Sequence, residues 1–201
     1  MEVNYQPDFS VDDATAKKET GQDLQAWFRD LDSQGGVAAG RRPLGEYLFK
    51  ARKVAAWWTT TLLVEYEAAR GAVEKDGEPN GYNICVTKSI EAPPEKVFDA
   101  FAHGTWLGLG ATCECKEGGR FTDAHGHTGI FKKVAPPKTL RFTFDGNGHS
   151  PSELVEIKLA PNGNKTGITL NHNRCPNRAV ADGMRAAWGA VLTKMKADLE
   201  G

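Results

Sequence analysis

Cys113-x-Cys115 and His125-x-His127 are the residues of this sequence best spaced to hold a metal ion. Side chains two apart in a strand share a face, so each pair can chelate. Zinc sites usually place two or more residues between paired cysteines, and His125-Gly126-His127 falls across an expected hairpin tip. Structural thiols and exposed histidines are therefore expected, with no metal. Cys175 lies close to His172 in sequence, but no third member of a nucleophilic array accompanies them. Glu153, Glu156 and Asp145 can act as general bases only if buried. Glu156 stands between Val155 and Ile157 on an alternating strand and is expected to face water. No glycine-rich phosphate loop follows a strand, and no serine sits in a nucleophile elbow. No catalytic residue and no cofactor are assigned.

The elements that must position any site fall into two groups. Residues 1–19 are polar and acidic and are expected to be disordered. A helical domain follows over 20–71. Leu24, Phe28 and Leu31 form a stripe at helical spacing, Pro43 suits a first helical turn, and Trp58, Leu62, Tyr66 and Ala69 share one side of a third helix ended by Gly71. Residues 72–81 carry little that is apolar and read as a linker. From 82 onward the period changes to alternation. Strands are expected at 82–91, 111–115, 119–123, 127–134, 138–145, 153–160 and 166–173, with turns that include Gly118-Gly119, Pro136-Pro137 and Gly146-Asn147-Gly148. Pro93-Pro94 opens one helix after the first strand. Val180, Met184, Ala187, Trp188, Val191, Leu192, Met195 and Leu199 then make a wide apolar stripe over a long final helix. Consecutive strands joined by short turns form an antiparallel meander, whose concave face is the one partner large enough for that stripe. The expected fold is α+β, a helix-grip architecture: a curved antiparallel sheet around a long C-terminal helix, preceded by a small helical bundle.

Residues 82–200 resemble the START-like, or polyketide-cyclase, superfamily, in particular members related to the activator of heat-shock-protein ATPase. The resemblance is carried by Val86 through Phe98, Gly118-Gly119-Arg120-Phe121, Gly129-Ile130-Phe131, Leu140 through Phe144, Thr169 through His172, and Trp188. Residues 20–71 resemble a small helical domain that can precede such domains, on Thr20-Gly21, Trp27-Phe28, Trp57-Trp58 and Glu65 through Gly71. The combined layout is similar to the self-sacrifice resistance proteins of enediyne producers. That resemblance implies a chain broken after a drug diradical removes hydrogen from a glycine α-carbon. Gly108 and Gly110, beside Trp106, are the self-cleavage candidates.

The expected ligand-binding residues are Trp106, Phe142, Phe144, Ile157, Leu170, His172, Met184, Ala187 and Trp188. His172 follows Ile168 and Leu170 at steps of two and should share their inward face. Gly183, Ala186, Ala187, Gly189 and Ala190 on the last helix are expected to leave room for a guest. The partner is thus a hydrophobic or polyketide-like small molecule held in an internal cavity. A cyclase-type enzyme and a chaperone-regulating interaction module are the alternatives. Lys+Arg 25 against Asp+Glu 26 gives a net charge of -1, so no global field draws nucleic acid or an anionic membrane. No secretory leader and no membrane-length apolar run is visible, so a reducing cytoplasm with free thiols is expected. The sequence sets no oligomeric state.

Overall fold

The computed structural model describes residues 1–146 and 153–201; Asn147 and Gly148 of one expected turn lie outside them. The chain divides into two compact units, Asp8–Gly81, and Met1–Pro7 together with Tyr82–Gly201.

The first unit is helical: α1 Asp13–Thr20, α2 Leu24–Ser33, α3 Gly36–Ala39, α4 Arg41–Glu46, a π-helical turn Tyr47–Ala51, and α5 Ala56–Ala69. Asp23 caps α2 by accepting the Ala26 N–H at 2.7 Å. Trp27, Phe28, Leu31, Leu48, Trp58, Leu62 and Tyr66 meet in its core. Within residues 1–19, expected to be disordered, Asp13 onward belongs to α1. Asp12 caps α1 through the Thr15 N–H, and Gly21 ends it in the left-handed region at φ 85°. Of the eight residues of α1 only Ala16 is buried, which explains why its composition reads as frayed. Residues 72–81 do not behave as a plain linker either. Val73 bridges Pro79, and the Glu74 N–H donates to the Glu78 carbonyl at 2.7 Å, closing a tight turn within the helical unit.

The second unit holds strands β1 Tyr82–Ile90, β2 Thr112–Cys113, β3 Arg120–Thr122, β4 Thr128–Ala135, β5 Thr139–Phe144, β6 Glu153–Asn162 and β7 Lys165–Cys175. They form one antiparallel sheet in the order β1-β7-β6-β5-β4-β3-β2. The short turns build the meander from β2 to β7, and β1 closes on β7. Between β1 and β2 lie α6 (Pro94–Ala102), with its proline at the helix start, and a 3₁₀ turn, Thr105–Leu107. The final helix α7 (Arg178–Glu200) is capped by Asn177, whose side chain accepts the Val180 N–H at 3.0 Å. Alternation turns Leu140, Phe142, Phe144, Val155, Ile157, Leu159, Ile168 and Leu170 inward, and α7 buries Met184, Trp188, Leu192 and Met195. This is the α+β helix-grip architecture. Among the described residues, no helix is long and apolar enough to cross a membrane.

Candidate functional site

The aromatic residues expected to line a pocket converge in the second unit. Trp106 stacks on Phe142 at 5.5 Å between centroids and leans on Trp188 at 5.2 Å, while Phe144 meets His172 at 5.4 Å. Trp106, Phe142, Phe144, Ile157, Leu170, His172, Met184, Ala187 and Trp188 are all buried. These side chains pack on one another, so a guest must displace something to enter. The small residues of α7 do not all provide room. Ala186 and Ala190 face outward and Gly189 is half-buried, because only every third or fourth position of the helix faces the sheet. Gly183 does face inward, but its space is taken. A Cβ there would lie 2.4 Å from the Asn4 carbonyl oxygen.

One end of this interior is polar. Glu153 opens β6 opposite Phe144 and shares the inward face with Val155 and Ile157. Its Oε2 lies 2.7 Å from His172 Nε2, although neither atom has a well-directed hydrogen bond. The Trp188 indole N–H donates to His172 Nδ1 at 3.0 Å. An indole can only donate, so Nδ1 must offer its lone pair and the ring proton belongs on Nε2, toward Glu153. Cys175 reaches the same place through a bulge. Tyr82 pairs with Cys175 while Ile84 pairs with His172, and Arg174 takes a positive φ of 66°. Burial first, then the Glu153 carboxylate, pushes the Cys175 thiol far up, keeping it protonated.

Potential ligand atoms of Glu153, His172 and Cys175 lie within 4.8 Å of one another. A metal on Nε2 would need a lone pair there, and the Trp188 N–H at Nδ1 puts the ring proton on Nε2 instead. The other metal candidates also separate. His127 is buried and His125 exposed, correcting the expectation that both are exposed, because Asp123 draws the His127 ring inward. Burial raises the Cys113 thiol to about 11 and raises Cys115, and the Cys113 S–H points at the Ala102 carbonyl.

Asp123, His127 and Tyr5 form a chain that the sequence did not disclose. Asp123 Oδ1 accepts the backbone N–H groups of His125 and His127 at 2.9 and 3.0 Å, an Asx-type turn at the β3–β4 tip. Its Oδ2 lies 2.8 Å from His127 Nδ1 and 2.6 Å from the Met1 amino group. Burial opposes ionisation of Asp123. The bonds from Met1, the His127 ring and the two backbone N–H groups outweigh that effect and hold the carboxyl below its usual range. A carboxylate only accepts, so His127 carries its proton on Nδ1 and presents a lone pair at Nε2. The Tyr5 hydroxyl fills that position at 3.1 Å. Tyr5 itself is pushed up to about 12, chiefly by burial and then by Glu153, Asp123 and Cys175, so it remains a donor.

Trp106 also separates the aromatic cluster from a surface crevice of about 140 Å³. Thr105, Gly108, Val191, Lys194, Met195 and Asp198 complete its lining. Gly108 adopts a φ of 92° and Gly110 one of 78°, and Leu109 between them is 96% exposed. Gly108 therefore lines the crevice beside Trp106. A Cβ at Gly110 would meet nothing within 4 Å.

A sheet gripping one long helix, with an aromatic interior and polar groups at one end, defines a START-like domain. Residues 91–200 match the family model described as activator of Hsp90 ATPase homolog 1-like protein, and the chain belongs to that family. The domain superposes on an HSP90 activator from Plasmodium falciparum over 60% of this chain and 97% of that one, with 21% identity and a TM-score of 0.54. It also superposes on CalU16 from Micromonospora echinospora over 55% and 71%, at 21% identity and TM-score 0.50. DynU16, from the dynemicin biosynthetic locus, aligns over 59% of this chain and 47% of its own, again at 21% identity and 0.50. At such identities the likeness establishes the fold. A search of curated protein sequences finds no match.

Proposed function

We propose that this chain binds a hydrophobic, polyketide-like small molecule inside its helix-grip domain and protects a producing cell from an enediyne, by sequestering the drug and being cut by it. The observation that carries this reading is the aromatic interior of Trp106, Phe142, Phe144 and Trp188, whose Trp106 also forms a wall of the crevice that Gly108 lines. The fold that the helix-grip domain shares with CalU16 and with DynU16, from the dynemicin biosynthetic locus, supports it. An aryl diradical held in the crevice takes a hydrogen atom from Gly108 Cα, forming an aryl C–H bond and a glycyl radical stabilised by both flanking peptide groups. Dioxygen adds to that carbon, and the thiol used to activate the enediyne quenches the second aryl radical and reduces the peroxyl radical through the hydroperoxide to α-hydroxyglycine, giving water and disulfide. The Cα–N bond of Gly108 then breaks as the hydroxyl proton passes to nitrogen, leaving an amide on one fragment and a glyoxylyl group on the other.

The test is to mix the protein with an activated enediyne and measure fragment masses. Two fragments broken between Thr105 and Ala111 are expected, at Gly108 in preference to Gly110. Protein labelled with α-dideuterated glycine should transfer deuterium to the drug and be cut more slowly. This labelling is preferable to an alanine substitution, because the positive φ at Gly108 would strain any other residue. Intact protein beside cleaved DNA in the same tube would refute self-sacrifice.

One observation favours a second reading, a cyclase-type enzyme. The buried Glu153 carboxylate beside a neutral imidazole could take a proton from a carbon of the guest. That reading expects a guest recovered with a changed mass. The chaperone-regulating alternative calls for an apolar patch on the outer sheet face. The exposed large hydrophobic residues, Phe9, Val37, Phe49, Trp57, Val73 and Leu109, all lie off the described strands.

A further inference from the structure

We propose that Val3–Pro7, anchored at Met1, is a displaceable occupant of the binding site and that the Tyr5 ring stands where the phenol ring of a guest binds. This deepens the small-molecule reading above and rests on it. It adds a ligand class, hydroxylated aromatics, and a recognising atom, His127 Nε2.

Three observations converge. The first is the hydrogen-bond chain. Asp123 fixes the His127 ring so that its Nε2 lone pair looks into the site, and the partner supplied there is a phenolic O–H at 3.1 Å. The second is position. The Tyr5 oxygen approaches Gly146, where a Cβ would lie 2.8 Å from it and 3.5 Å from both His127 and Phe144. Phe144 belongs to the aromatic interior, in ring contact with both His172 and Trp188. Tyr5 thus sits at the polar end of the same cluster, within the electrostatic reach of Glu153 and Cys175. The third is how little of the segment beyond Met1 the fold covers. Met1 is its anchor, the amino group donating to the Leu107 carbonyl at 2.7 Å and pairing with the buried Asp123 carboxylate at 2.6 Å, and none of the segment is a strand of the sheet. Glu2, Asn4, Gln6 and Pro7 are exposed, while Met1 is buried and Val3 and Tyr5 are half-buried. The exposed stretch after Met1 can open locally about that anchor.

Gly183 fits this account. It lies within α7, where alanine is the better helix former, yet a Cβ would come 2.4 Å from the Asn4 carbonyl oxygen and 3.3 Å from Val3. Its missing side chain is the space through which the segment passes. When the segment leaves, the His127 lone pair loses its donor, and a guest hydroxyl restores it. A guest without a hydroxyl leaves a buried acceptor unsatisfied.

The full chain, Gly183→Ala and Tyr5→Ala are titrated with 2-naphthol and with 2-methoxynaphthalene, which differ only in the donor. Both variants should bind 2-naphthol at least about tenfold more tightly than the parent, with a much smaller gain for the ether. Adding His127→Phe to Tyr5→Ala should abolish the preference. Gly183→Ala changes a helical glycine, and Tyr5→Ala leaves α7 untouched, so each covers for the other should one fold poorly. Equal binding of naphthol and ether, or no gain in either variant, overturns the proposal. A parallel titration with 1-anilinonaphthalene-8-sulfonate separates the two readings. Dye bound without phenol preference defeats the Tyr5 inference alone, whereas no binding of dye, naphthol or ether defeats the small-molecule reading with it.

Discussion

A chain ending at Asn177 is expected to lose the cooperative unfolding of the Tyr82–Gly201 unit altogether. The helix α7 brings Val180, Met184, Trp188, Leu192 and Met195 out of water, none of them more than 5% exposed. At about 1.5–3 kcal/mol for each buried large apolar side chain, their loss amounts to about 10 kcal/mol. A whole domain is stable by only about 5–15 kcal/mol. Removing the helix also bares Phe142, Phe144, Ile157 and Leu170 and takes from His172 the Trp188 N–H. Hydrogen exchange of the Thr139–Phe144 and Lys165–Cys175 amides gives the readout, since the helical unit can melt separately. Amides that remain protected in the shortened chain would contradict the helix-grip account of stability.

The second large effect is expected at Gly129. A Cβ at this position in β4 would lie 2.0 Å from the Thr143 carbonyl oxygen and 2.3 Å from the Phe121 ring. One of those atoms is backbone, hydrogen-bonded into a paired strand, and cannot yield cheaply. Gly129→Ala should cost about 3 kcal/mol or more, read from the urea midpoint. Gly189→Ala is the matched control. Nothing lies within 4 Å of its Cβ, and the helix should gain up to about 1 kcal/mol. A Gly129→Ala protein as stable as the parent would mean that the β3–β5 edge is packed differently.

The fold was legible because its periods are clean. Val155, Ile157 and Leu159 alternate inward, and the α7 stripe runs over the whole helix, so strand and helix could be told apart residue by residue. The same alternation reaches Glu153, two positions before Val155, and could have placed that carboxylate inside. Cys175 could not be read in this way, because the bulge at Arg174 breaks the parity that correctly turned His172 inward. The caps of α1, Asp12 and Gly21, were also present in the sequence. They went unread because a helix burying one alanine has almost no apolar signal. The Asp123–His127–Tyr5 chain lay beyond reach for another reason. It joins residues more than a hundred positions apart, and no local pattern in a polar N-terminal segment reports that Gly183 has left a slot for it. The reading of small α7 residues as empty space failed on the same point. A glycine can make room for the chain's own backbone as readily as for a guest.

The central claim is that the interior of the second unit admits a flat hydrophobic guest. Native mass spectrometry of the full chain with 1,8-dihydroxyanthraquinone, a tricyclic polyketide-like aromatic, tests it most directly. The account predicts a one-to-one complex that survives transfer to the gas phase, accompanied in solution by quenching of tryptophan fluorescence that Trp106→Phe reduces. A bare protein mass through a large excess of the anthraquinone, with tryptophan emission unchanged, would contradict it.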